Sequence, residues 1–212
     1  NENMIQQNYL KEGNTVAIVS TARKILKKEL IPAITILKNW GLKIVLGKSI
    51  EAEEHQFAGN DKLRTSDFQA ILDHPEIDAV WCARGGYGTV RIIDQLDFSN
   101  FKKHPKWIIG FSDVTVLHSH IHQLGIETLH AQMPVSIETK SKATINSIKA
   151  ILFGEHYGIR IPAENNNING KTSGQLIGGN LSILYSLCGS PSALNTKGKI
   201  LFIEDLDEYL YH

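Results

Sequence analysis

The stretch that decides the fold is Lys106-Trp107-Ile108-Ile109-Gly110-Phe111-Ser112-Asp113-Val114-Thr115. An apolar run ends at glycine, and a helical stripe of Val114, Leu117, Ile121 and Leu124 begins at once and stops at Gly125. The pattern predicts a strand, a sharp turn and a helix. Such a turn lifts the Ser112 hydroxyl out of the sheet and leaves the first helical N–H groups free to face a developing oxyanion. The second glycine of G-x-S-x-G is here Val114, so the motif alone equally suits a serine that only caps a helix.

Outward from this stretch, strand and helix signals alternate through the first 135 residues. Short apolar runs occur at Thr15–Ser20, Leu42–Leu46, Ala79–Ala83, Lys106–Gly110 and Glu127–His130. Continuous apolar runs of this length suit strands covered on both faces. Between them lie helical stripes, one through Leu30, Ile34, Leu37 and Trp40 that stops at Gly41, another through Phe68, Ile71 and Leu72. The expected fold is α/β, a doubly wound parallel sheet of flavodoxin-like type, followed by part of a smaller α/β domain. Expected boundaries are 1–135 for the first domain, 136–172 for a linker helix (Ser136–Phe153) and polar loop, and 173–212 for an incomplete second domain. That last part holds a helical stripe of Leu181, Leu184 and Leu187 and a strand at Lys199–Glu204.

Composition narrows the function. Basic and acidic residues balance at 22 each, so no overall field draws nucleic acid or an anionic membrane. No apolar run nears the roughly 20 residues that span a bilayer, and the polar start lacks a signal-peptide centre. The two cysteines, Cys82 and Cys188, read as buried free thiols, which fits a reducing cytosol.

Three features converge on one crevice. Gly85 and Gly86, in Ala83-Arg84-Gly85-Gly86-Tyr87-Gly88, end a strand and can present backbone N–H donors, although a plain strand-to-helix turn reads the same way. Ser112 follows another strand, and in an open parallel sheet both loops lie at the carboxyl ends, where ligands bind. Glu204 ends an apolar strand and can orient a histidine, beside Asp205, Asp207 and Glu208, which read as ordinary charged termini. His118 and His122 stand four apart on a helix without a third ligand, a pattern that reads as surface. His130, at a strand end, is the better placed histidine and is expected to be structural.

The segments FAGNDKLR (Phe57–Arg64) with Asp67 and Gln69, AVWCARGGYGTVRIID, PKWIIGFSDVT, LHAQMP, GQLIGGNLSILYSLCGSP and ILFIED, in this order, resemble the LD-carboxypeptidase family of serine peptidases. That family includes muramoyltetrapeptide carboxypeptidases and microcin self-immunity peptidases. The resemblance runs from about Gly13 to His212. It implies Ser112 as nucleophile, Glu204 as the triad carboxylate, and an oxyanion hole from the N–H of Asp113 with Gly85 or Gly86. It implies a murein tetrapeptide substrate, no metal or cofactor, no nucleic-acid or membrane partner, a homodimer and a cytoplasmic location. The family's catalytic histidine lies in a Gly-His segment well past the glutamate; this sequence has none, and His212 falls where the family continues into another helix. Ser20-Thr21-Ala22 stands where the family more often shows Ser-Pro, and Ala131 where glycine is common. The chain is therefore expected to stop short of that histidine and to be inactive alone. The alternatives are a microcin-immunity-like peptidase and a small-ligand binding module without turnover.

Overall fold

A computed structural model of the chain describes residues 4–209. His212 lies outside them. Five strands form one sheet: β1 Thr15–Val19, β2 Lys43–Leu46, β3 Ala79–Cys82, β4 Trp107–Gly110 and β5 Leu129–His130. Their order is β2-β1-β3-β4-β5, and every pair is parallel. This is the doubly wound, flavodoxin-like order, with its switch point between β1 and β3.

The apolar runs are continuous because the sheet is covered on both faces. Ala17, Val19, Val80, Cys82 and Ile108 join one core; Val16, Ile18, Trp81, Trp107 and Ile109 join the other. On the first face pack α2 (Asp61–Asp73), α3 (Ser99–Lys103) and α4 (Thr115–Gln123), through Phe68, Phe101 and Leu117. On the second pack α1 (Ile31–Asn39) and α5 (Lys142–Leu152), through Leu37 and Ile148. Helix α5 starts later than the predicted Ser136. Ser136 is left-handed at φ 56°, and the Ser141 hydroxyl caps the helix by accepting the Thr144 N–H at 3.1 Å.

Residues 155–175 hold neither helix nor strand and are almost wholly exposed. Beyond them, β6 (Leu176–Asn180), α6 (Leu181–Ser186) and β7 (Ile200–Glu204) form a parallel two-stranded unit. β7 lies where the sequence predicts a strand, whereas β6 carries no strand signal because of its Gly178-Gly179 pair. Glycine is required there: a Cβ on Gly178 would lie 1.7 Å from the Phe202 carbonyl oxygen. The Asn180 N–H donates to Thr115 Oγ1 at 3.0 Å, which ties this unit to the start of α4. Both cysteines are free, but only Cys82 is buried; Cys188 is exposed on the turn after α6, which corrects the expectation of two buried thiols.

Candidate active site

The predicted elbow is present. Strand β4 ends at Gly110, Phe111 is extended, and Ser112 opens a single 3-10 turn that runs into α4. Ser112 sits at φ 60°, a left-handed conformation that L-residues other than glycine seldom adopt. Three neighbours, Val114, Ala131 and His118, pack against or bond to the Gly110 end of this turn. A side chain on Gly110 would collide with Val114, its Cβ lying 2.8 Å from Val114 Cγ2. The Gly110 carbonyl accepts the Ala131 N–H at 3.1 Å and His118 Nε2–H at 2.8 Å. Because that carbonyl can only accept, the Nε2 tautomer of His118 is fixed.

Gly85 is seated against the serine. A Cβ built on it would lie 3.2 Å from Ser112 Oγ, so by standard bond lengths the Gly86 nitrogen is within about 7 Å of that hydroxyl. Ser112, Gly85 and Gly86 therefore share one crevice, as the sequence predicted. Gly86 has φ 111°, and its missing side chain leaves room for Arg23, which a Cβ would approach to 2.5 Å. Among the described residues, no protein acceptor takes the Gly85 or Gly86 N–H. The Asp113 N–H belongs to the first turn after the elbow, where backbone donors have no intrahelical partner. The Asp113 side chain turns inward instead: it is fully buried and accepts the Thr89 N–H at 2.9 Å. Burial pushes its pKa up, against the hydrogen bonds from Thr89 and the charge of Arg64.

The histidines are a correction. His118 is a core residue, 2% exposed, and burial pushes its pKa down to about 3. His122 is mostly buried and pushed down to about 4, again by burial first. The surface reading fails for His118, which follows the buried stripe of α4; His122, one turn on, is part-buried beside Thr128. His130 ends β5 beside Gly110 and lies among the rings of Phe111, His118 and Phe202, at 6.1, 6.0 and 5.3 Å between centroids. Burial lowers its pKa. Its Nε2 stands 3.9 Å from Glu204 Oε1, beyond hydrogen-bond length, and no hydrogen bond joins it to Ser112 among the described residues.

Glu204 closes β7, and its carboxylate turns toward His130 at the end of β5. Its pKa is raised by burial and by the adjacent Asp205 charge, and Oε1 has no hydrogen-bond partner among the described residues. Asp205 differs. It accepts the Ser182 hydroxyl and the Ser182 N–H at 2.6 and 3.0 Å and the Asn180 amide at 3.1 Å. Those bonds push it down to about 2 and make it a cap for α6. Of the two adjacent carboxylates, Asp205 is thus committed to hydrogen bonds with α6, while Glu204 keeps one oxygen without a partner among the described residues.

The LD-carboxypeptidase N-terminal domain matches residues 16–131, and the LD-carboxypeptidase C-terminal domain matches residues 173–212. The chain belongs to the LD-carboxypeptidase family. It is 39% identical over 209 residues to the Bacillus subtilis protein named "Probable murein peptide carboxypeptidase", covering 95% of this chain and 65% of that one. It is 31% identical to the murein tetrapeptide carboxypeptidase of Pseudomonas aeruginosa, covering 92% of this chain and 67% of that one. The crystal structure of muramoyltetrapeptide carboxypeptidase from Oxalobacter formigenes superposes with a TM-score of 0.81 at 28% identity, covering 93% of this chain and 68% of that one. The chain thus spans about two thirds of the length of the relatives it matches.

Proposed function

We propose that this chain forms the nucleophile-bearing part of a serine LD-carboxypeptidase that releases the terminal D-amino acid from murein tetrapeptides. One observation carries the reading: Ser112 stands in a left-handed elbow after β4 with its hydroxyl against Gly85. Ser112 Oγ attacks the carbonyl of the bond to the D-residue, and its proton passes to a histidine. The N–H groups of Asp113 and of Gly85 or Gly86 hold the oxyanion. Collapse expels the D-amino acid, whose amine takes the proton back, and water then hydrolyses the acyl ester on Ser112. Glu204 orients the histidine. Since no described histidine hydrogen-bonds Ser112, we assign the base to a residue outside the described ones and expect residues 4–209 alone to be inactive. From the family resemblance we further propose that the protein is a cytoplasmic homodimer.

The test is D-alanine release from a muramoyl tetrapeptide. The 212-residue chain and the longest protein encoded by the same reading frame are assayed side by side, each with Ser112→Ala. Release by the longer form at about one per second or faster, abolished by Ser112→Ala, is expected. Cleavage of an aminoacyl-sulfamoyl nucleoside instead marks the microcin-immunity alternative. Tight peptide binding with no release marks a binding module.

A further inference from the structure

The FAGNDKLR segment supplies nothing to the chemistry above, yet it contains a fully buried cation. Arg64, on α2, is 0% exposed. Its Nη1–H groups donate to the carbonyls of Thr21 at 2.7 Å and Gly88 at 2.9 Å, and Nε–H to that of Gly59 at 3.3 Å. Nη2 meets the Asp61 carboxylate, which also binds Arg91. Thr21 follows β1 and Gly88 closes the loop after β3, so one rigid fork bridges the two loops at the switch point. Three further contacts converge on the same place. The Thr21 and Thr89 hydroxyls hydrogen-bond at 2.7 Å, and Asp113 takes the Thr89 N–H. Gly88 itself lies so close that a Cβ would stand 2.8 Å from Arg64 Nη1. The loop containing Gly85 and Gly86 is thereby held at its far end by Arg64 and by the residue after the nucleophile.

We propose that Arg64 is a positioning residue: through the Gly88 carbonyl it sets the Gly85–Gly86 backbone against Ser112. Lysine cannot replace it, because an ammonium lacks the planar fork that reaches two carbonyls from one nitrogen and a carboxylate from the other. The catalytic half of the proposal rests on the reading of Ser112 as nucleophile; the structural half does not.

The experiment has two readouts. The first is amide exchange at Thr89, whose N–H is held by Asp113, by mass spectrometry in wild type, Arg64→Lys and Leu72→Ala. Leu72→Ala weakens the same helix at the core, away from Gly88. Selective opening in Arg64→Lys, with exchange about tenfold faster than in Leu72→Ala at an equal margin below Tm, is expected. Equal exchange in the two variants overturns the proposal. If Arg64→Lys does not fold, Asp61→Asn loosens the same fork from its accessible side; a smaller change in the same direction supports the proposal and no change overturns it. The second readout is D-alanine release by the longest protein of the reading frame. There Arg64→Lys should lower kcat about tenfold or more with KM within about threefold, the sign of a misplaced oxyanion loop. A raised KM at unchanged kcat overturns the catalytic half. A wild type that releases no D-alanine defeats the proposed function alone, and the exchange data still decide Arg64.

Discussion

If Ser112 is held left-handed by its surroundings, replacing it by glycine and by alanine should give opposite results to those at an ordinary helical position. Ser112 has φ 60°, and no hydrogen bond to its hydroxyl exists among the described residues. Alanine at that backbone bears the left-handed penalty, about 1–2 kcal/mol, which glycine escapes. Glycine loses about 0.5–1 kcal/mol to its greater freedom in the unfolded chain. The difference leaves Ser112→Gly more stable than Ser112→Ala by about 0.5–1 kcal/mol. For a chain of this size that is about 1–4 °C in Tm. Ala70, exposed on α2, supplies the reference: Ala70→Gly should cost about 1 kcal/mol. The assay is urea unfolding with thermal melts of the three variants and wild type. Ser112→Gly less stable than Ser112→Ala, by an amount like that at residue 70, would refute the strained elbow.

Acid should destabilise the protein through its buried histidines. His118 and His122 are pushed down to about 3 and about 4, so the unfolded chain binds protons that the folded one refuses as pH falls below about 6.5. Stability is full above that pH and declines beneath it. At pH 5 the loss is about 2 kcal/mol for each histidine; a Tm that stays flat between pH 7.5 and 5 would contradict this. Gly85→Ala keeps an ordinary backbone but places a methyl 3.2 Å from Ser112 Oγ. Turnover should fall about tenfold or more with little change in Tm, and full activity would show that the glycine is not a wall of the site. Asp67, 5% exposed, accepts the Lys48 and Ser49 N–H groups at 2.8 Å each. Asp67→Ala leaves both unmet and should cost about 2–4 kcal/mol by urea unfolding; a change under about 0.5 kcal/mol would refute that role.

Much of the fold was legible because the sheet is buried on both faces, which makes Val16–Val19 and Trp107–Ile109 continuous apolar runs that no loop resembles. β6 was not legible, because Gly178 serves the close approach to Phe202 and Gly179 that to Thr115, and the pair erases the side-chain pattern. At the site, Ser112 and Gly85–Gly86 were readable as punctuation at strand ends. Arg64 carried a readable signal too: it lies four residues before Phe68 and seven before Ile71, a charge on a buried helical stripe. His118 likewise adjoins Leu117 on the stripe of α4. The acceptors could not be read in either case. They are backbone carbonyls of Thr21, Gly88 and Gly110, which carry no residue identity and are placed only by the packing of the sheet.

The central claim is that Ser112 is the nucleophile, and its direct test is covalent. An ester analogue of the tetrapeptide, with D-lactate in place of D-alanine, is mixed with the longest protein of the reading frame. The reaction is quenched in acid within milliseconds to seconds and mapped by mass spectrometry. The account predicts a tripeptidyl acyl mass on the peptide containing Ser112, appearing with a burst of D-lactate and absent from Ser112→Ala. D-lactate release at the wild-type rate by Ser112→Ala, or an acyl group trapped on any other residue, would contradict it.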